Sequence, residues 1–340
     1  MHAIQLVAPS LSSLRSTTLP DPQPGPGEVL VRLHAATLNY IDLAVATQRF
    51  PGAQFPIVPV GDGAGEIVAL GPDVDGVEEV HLGMHVIPHF MPDWHSGPLQ
   101  QRNVRRMRGI TLPGSLSDYV AVPAASVVPM PAHLDFAQGA ALPVAATTAW
   151  NAVRAARVRP GSVVVVLGTG GVSLFALQFA KASGATVILA SSSEEKLERG
   201  GRLGADHLVD YVARPDWDAA VLDITGGRGA DLVVESVGGS TFARSVAAAA
   251  TGGTVFTVGF VGGVHATVDV LAVMSKALRI IGNNTGSVAD LREAAQAVAV
   301  HRIVPVIDRR FGIDEAAAAY AMLAEGRTHM GKLAIVHGDA

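Results

Sequence analysis

The 340-residue chain contains no cysteine, so no disulfide framework can hold it together and thiols say nothing of its redox compartment. Charged residues make up only 16%, and 25 Lys and Arg against 30 Asp and Glu leave a formal charge of −5. Without a basic surplus there is no electrostatic footprint for a nucleic acid. The one basic run, RNVRRMR at 102–108, is short and local. No apolar segment reaches the roughly 18 residues of a membrane span. The opening MHAIQLVAPS lacks a charged region leading into an apolar one, so no signal peptide is read there and a cytoplasmic protein is expected. What the chain has instead is apolar bulk and turns. Hydrophobic residues are 49% and glycines number 37, enough to bury sizeable cores with nothing disordered. At this length two domains are expected.

The organising stretch is 161–182, GSVVVVLGTGGVSLFALQFAKA. Its valine run suits a strand buried on both faces of a parallel sheet. Gly168, Thr169, Gly170 and Gly171 break the run, and Val172 opens an apolar helix. Strand, glycine turn and helix are the context of a dinucleotide fingerprint. The glycines let backbone approach a pyrophosphate, and the helix N-terminus offers free N–H groups and partial positive charge. A G-x-G-x-x-G pattern begun at Gly168 and Gly170 ends on Ser173, still small enough for close helix–strand packing. The plainer alternative is a structural β–α turn.

Ahead of this stretch, short strands alternate with Gly and Pro turns. Strands are expected at 4–7, 29–35, 60–70, 84–88 and 116–122, with turns at 20–27 and 71–80. That pattern reads as a β-rich domain, a partly open barrel. From 123–131 onward β–α alternation is expected. Strands at 186–190, 207–209, 232–235, 254–258 and 278–282 join the central one, with helices at 194–202, 218–225 and 241–250. Together they make a doubly wound parallel sheet. A helix at 288–301 and further elements within 303–336 exceed that sheet and are expected to return to the first domain. The expected domains are 1–127 with 288–340, and 128–287.

Six segments then carry a resemblance: PDPQPGPGEVLVRL (20–33), LNYID (38–42), LPVAATTAWNAV (142–153), the glycine stretch, SSSEEKLERGGRLGADHLVDY (191–211) and GKLAIV (331–336). Their order resembles the medium-chain dehydrogenase/reductase superfamily, in particular its zinc-free, quinone-oxidoreductase-like members, over nearly the whole chain. The resemblance implies an α/β protein with a GroES-like β-rich catalytic domain and a Rossmann domain. Zinc-dependent relatives place a catalytic Cys in the stretch that here is 36–42, and a His-Glu pair where Gly61 and Asp62 stand. They place a second Cys near Ala145, and four more in a structural lobe. Lacking every thiolate, this chain is expected to bind no zinc. His81, His85, His89 and His95 lie close in sequence, but where a strand runs into a proline turn. They read as loop and strand-end histidines, bordering a substrate cleft, rather than as ligands.

NAD-specific folds carry an Asp or Glu at the end of the second strand. Here that strand runs into Ser191, Ser192 and Ser193, with Lys196 and Tyr211 beyond. The resemblance implies a serine, a lysine and a tyrosine around a 2′-phosphate, which favours NADP(H) over NAD(H). Glu194 and Glu195 argue against this unless they are first-turn acids behind a Ser193 N-cap. Lys196 also fits a solvated helix residue. Strand ends place Ser236, Val237, Val258, Gly259, Phe260 and Asn283 along the cofactor crevice, although Asn283 is equally a satisfied turn residue. The resemblance adds Thr147 near the nicotinamide and Lys332 near the cofactor at the domain seam.

It also implies that Asn39, Tyr40 and Asp42 form the catalytic stretch. Asn39 and Tyr40 would donate hydrogen bonds to the reacting oxygen, with Tyr40 otherwise a cleft-lining aromatic. Asp42 and Asp62 would hold the loop through backbone or Arg contacts. The implied reaction is NADPH-dependent hydride transfer to a quinone, enone or other carbonyl. The alternatives are a zinc-free NAD(P)-dependent alcohol dehydrogenase and a non-catalytic NADP(H)-binding protein. Residues 89–114 are expected to shape the substrate pocket. By analogy, 255–273 pairs across a two-fold axis, so a homodimer is expected.

Overall fold

The computed structural model describes residues 1–74, 80–326 and 328–338. Part of the turn expected at 71–80 lies outside the described residues. Short runs between turns give β1 (His2–Leu6), β2 (Leu14–Thr18), β3 (Glu28–Thr37) and β4 (Asp62–Leu70). Then come β5 (His85–Pro88), β6 (Tyr119–Pro123) and β7 (Val127–Pro129). The next set is β8 (Val163–Leu167), β9 (Thr186–Ser191), β10 (His207–Asp210), β11 (Ala230–Glu235), β12 (Ala249–Thr257) and β13 (Arg279–Gly282). The chain closes with β14 (Ile307–Gly312) and β15 (Lys332–Val336). Two units result, 1–147 with 286–340, and 148–285.

In the first unit the strands run β14-β15-β3-β4-β5-β7, β6 also pairs with β3, and β1 pairs with β2 apart from them. The spine is β3, where Val29, Val31 and Leu33 point inward and Arg32 outward. Those three pack with Ile67, Val86, Val120 and Val122, while Leu6, Leu38, Tyr320, Leu333 and Ile335 belong to a second core. Ala35, Ala64, Ala137, Ala140 and Ala334 make a third, whose small side chains let the helix Phe136–Gly139 lie close against β3 and β4. For that reason the expected boundary at 127/128 falls short. β7 pairs with β5, and the chain as far as Thr147 stays with the first unit.

Strand register sets up the candidate site. Thr37 pairs with Asp62 across β3 and β4, and with Ala334 across β3 and β15. Just beyond, Leu38 N–H donates to Leu333 O at 3.0 Å, which brings Lys332 level with Asn39.

The second unit is a six-stranded parallel sheet ordered β10-β9-β8-β11-β12-β13. That is the doubly wound order, with its switch point between β8 and β11. The helix expected at 241–250 ends at Ala248, and β12 begins at Ala249. The stretch expected to pair as an edge, 255–273, is mostly not strand. After Thr257, Gly259, Gly262 and Gly263 interrupt the alternation, and Val270–Ser275 is helical. One edge of the sheet is β13. Among the described residues no helix is long and apolar enough to cross a membrane.

Candidate active site and cofactor crevice

Asn39 is the N-cap of the helix Tyr40–Ala46, yet its side chain serves another purpose. Asp42 does the bracing: its carboxylate accepts from Asn39 N–H at 2.7 Å and from Gly61 N–H at 3.3 Å. This ties the loop after β3 to the loop before β4. Asn39 Nδ2 instead donates to Asp62 Oδ2 at 2.8 Å, and its Oδ1 accepts from Lys332 Nζ at 2.6 Å. Lys332 Nζ also lies 3.3 Å from Asp62 Oδ2. The other oxygen of Asp62 accepts from Val144 N–H at 3.1 Å. Val144 sits in the π-turn Leu142–Ala146, a widened turn of the kind found where a backbone group is wanted elsewhere.

Asp42, Asp62 and Lys332 are buried at 5%, 0% and 3% exposure. Burial pushes Asp42 up to about 7, opposed by the Asn39 amide, reinforced by the charge of Asp62 and opposed again by Lys332. Burial also raises Asp62 and lowers Lys332, and each resists the other's displacement by its own charge. Arg108 belongs here too, at 1% exposure: Nη2 donates to Ser115 Oγ at 2.7 Å and Nε to Gly61 O at 3.4 Å. Burial lowers its pKa to about 10, with Asp62 opposing. The basic run that contains Arg108 gave no hint of this. Tyr40 is half-buried, and its Oη accepts from Arg49 Nη1 at 2.9 Å. Thr147 is fully buried in the same unit, its hydroxyl 3.5 Å from Leu142 O.

A zinc ion needs thiolate, imidazole or carboxylate donors around an open position. The chain has no thiolate, position 61 is glycine, and Asp62 is already engaged by an ammonium, an amide and a backbone N–H. Among the described residues no three His, Cys, Asp or Glu side chains converge on a metal-sized position. At positions 61 and 62 the described residues offer neither a thiolate nor an imidazole to a zinc ion.

In the second unit, β8 ends at Leu167 and Gly168 turns the chain with φ +73°, its N–H bonded to Ala190 O. Gly170 caps the helix Gly171–Ala182, with open space where a Cβ would stand. Thr169 and Val172 flank it, and the N–H groups of the first turn have no helical partner. Ser173, in place of the third glycine, donates to Leu167 O at 2.7 Å, as does Ser236 from the end of β11. This cradle fits a dinucleotide pyrophosphate. Glu235, fully buried, shapes the next loop by accepting from Val237 N–H and Gly238 N–H at 2.9 Å each, from Thr241 Oγ1 at 2.8 Å and from Ser245 Oγ. Val258 N–H and Gly259 N–H bond to Glu235 O, and a Cβ on Gly259 would stand 1.7 Å from Ser236 O. Phe260 follows in the same loop.

At the end of β9, Ser191 is buried and its carbonyl accepts from Tyr211 N–H at 3.1 Å, so the structure brings these two together, with Ser192 next in the chain. Ser193 caps the helix Glu194–Arg202 by accepting from Lys196 N–H, with Glu194 and Glu195 in its first turn. The two acids are thus first-turn helix residues. Asn283 Nδ2 donates to Thr285 O, the contact of a satisfied turn residue.

Residues 171–300 match the family model described as zinc-binding dehydrogenase, and residues 25–132 the alcohol dehydrogenase GroES-like domain. The chain is similar to a zinc-type alcohol dehydrogenase-like protein of Schizosaccharomyces pombe, 38% identical over 318 residues and 91% of each chain. It is similar to a quinone oxidoreductase of Pseudomonas aeruginosa, 31% identical over 322 residues and 90% of each. It also resembles the crystal structure of an NAD-dependent alcohol dehydrogenase, with a TM-score of 0.89, 34% identity, and 99% of this chain and 100% of that one covered.

Two buried groups near the site generate a pH test. His89 is fully buried, its Nδ1 within 3.0 Å of the Met91 backbone, and burial pushes it down to about 4. Below 6.5 the unfolded chain binds a proton there that the folded chain refuses, so this contribution to stability is lost as pH falls towards 4. Asp42 works in the opposite sense. The folded chain keeps a proton up to about 7 that the unfolded carboxyl releases near 3.8, so that contribution is lost as pH rises. In urea titrations from pH 4 to 6.5, His89→Asn should lose about 1.4 kcal/mol per pH unit relative to the native chain as pH rises, and Asp42→Asn should gain about as much. Difference slopes of the same sign contradict the assignment.

Proposed function

We propose the following reaction for a chain that belongs to the medium-chain dehydrogenase/reductase family of zinc-binding dehydrogenases and is an NAD(P)-dependent oxidoreductase. Hydride passes from NADPH to a quinone, an enone or another small carbonyl compound, without zinc. The observation that carries the reading is the Asn39–Asp62–Lys332 cluster, a set of fixed donors and charges in which Asp62 is already bonded by an ammonium, an amide and a backbone N–H. When bound, the nicotinamide supplies the hydride. Asn39 holds an amide N–H for the oxygen that gains negative charge as hydride arrives. One hydrogen of Nδ2 is committed to Asp62, and no acceptor for the other is found among the described residues. Preorganised donors of this kind typically contribute about 10²–10³ in rate. Tyr40, its oxygen held by Arg49, is the candidate second donor. Asp42 acts at a distance by fixing the Asn39 backbone.

The preference for NADPH rests on Ser191, Ser192, Lys196 and Tyr211, where an acid would otherwise meet the ribose. In fluorescence titration NADPH should bind about tenfold more tightly than NADH, and Lys196→Glu should erase the difference. Equal binding of both by the native chain would favour the alcohol-oxidising reading. Tight binding with no turnover over a carbonyl, enone and quinone panel would favour a non-catalytic binder.

The partner beyond the substrate is a second copy. The outer strand β13 leaves one edge of the sheet unpaired, and Ile280 on it, with Val270, Leu271 and Met274 on the preceding helix, is exposed. Light scattering should give twice the chain mass, and Ile280→Lys should reduce it to the monomer. A monomer mass for the native chain contradicts the pairing.

A further inference from the structure

We propose that Lys332 is a positioning residue for Asn39: seated on Oδ1, its ammonium decides which end of the amide is the donor and fixes a positive charge beside Asp62. The inference deepens the hydride-transfer reading and rests on it. Lys332 is the first residue of β15, and the register of β15 with β3 carries it to Asn39, 293 positions away in sequence.

The chemistry of the two partners leaves one orientation. An ammonium can only donate, so the amide atom 2.6 Å from Nζ is oxygen. An ionised carboxylate can only accept, so the amide atom 2.8 Å from Asp62 Oδ2 is nitrogen. Oxygen and nitrogen of an amide are hard to tell apart by shape alone, but here two independent partners impose the same answer. Turning the amide over would set N–H against ammonium and carbonyl against carboxylate. Lys332 therefore holds the second N–H of Asn39 on the side away from Asp62. A cation on Oδ1 also polarises the amide, which makes that N–H a stronger donor.

The competing role, contact with the cofactor, fits this geometry less well. The Lys332 side chain is 4% exposed, and two of its three hydrogens are directed at Asn39 and Asp62. Only the third hydrogen is left for a phosphate, on a side chain almost wholly out of water. Asp42 and Asp62 both face its charge, and Arg108 is another buried cation beside Asp62.

The test compares the native chain with Lys332→Met and with the double variant Lys332→Met/Asp62→Asn, which removes the whole ion pair. NADPH affinity by fluorescence, melting temperature, and kcat and KM for an enone are measured on each. The expected result is cofactor affinity and substrate KM within about twofold of native and kcat lowered about ten- to a hundredfold in both, as for a misplaced catalytic group. NADPH affinity weakened tenfold with kcat at saturation unchanged makes Lys332 a cofactor contact and overturns the proposal. So does a native kcat in the double variant. Loss of folded protein in both variants makes the pair purely structural and overturns it too. If the native chain itself binds NADPH but reduces nothing, the hydride-transfer reading fails before any variant is made, and the inference falls with it.

Discussion

A lysine ammonium and an aspartate carboxylate, 3.3 Å apart and almost wholly out of water, sit where three strands of the first unit come together. Such a pair stabilises a protein little in net terms, because desolvation consumes most of its attraction. Losing one partner alone costs roughly 3–5 kcal/mol, because the other charge is then stranded. The fold around it accordingly leaves little freedom. The pairing of β15 with β3 and of β3 with β4 sets Lys332, Asn39 and Asp62 at one level, the alanine-rich contact draws the Phe136–Gly139 helix close, and the π-turn turns Val144 N–H onto the carboxylate. Asp42 then closes the assembly by binding backbone on both sides of it.

The second unit solves a different problem with the same economy. A dinucleotide needs backbone N–H groups rather than side-chain charges, so β8 ends in glycines and a helix start. The neighbouring loops are held by one buried acid, Glu235, and by glycines that allow backbone-to-backbone approach, as at Gly259 against Ser236. Ser173 and Ser236 share the Leu167 carbonyl, so hydroxyls anchor the turn where the common pattern has a third glycine.

How much of this was legible depended on range. The valine run, the glycine break and the apolar helix are local signals, and β8 with Gly171–Ala182 follows them closely. The helix Glu194–Arg202 matches expectation residue for residue. Residues 128–147 were assigned to the wrong unit because their apolar composition looks the same in either; only the alanine contacts with β3 and β4 decide it. β2, reading LRSTT, has no apolar alternation and exists because β1 pairs with it. At the site, Asn39 and Asp42 were visible in one short motif. Their link to Lys332 was not, since it depends on strand register across nearly the whole chain. The burial of Arg108 was not legible, because charge in a sequence carries no sign of burial.

The proposed reaction delivers a hydride to a carbon whose oxygen Asn39 holds. Its most direct test is the fate of the label when the protein is given an enone and NADPH carrying deuterium at one face of C4. The account predicts one deuterium on carbon per product molecule from one of the two labelled faces and none from the other, with the balancing proton drawn from solvent. Unlabelled product from both faces, or cofactor oxidation without reduced product, would contradict it.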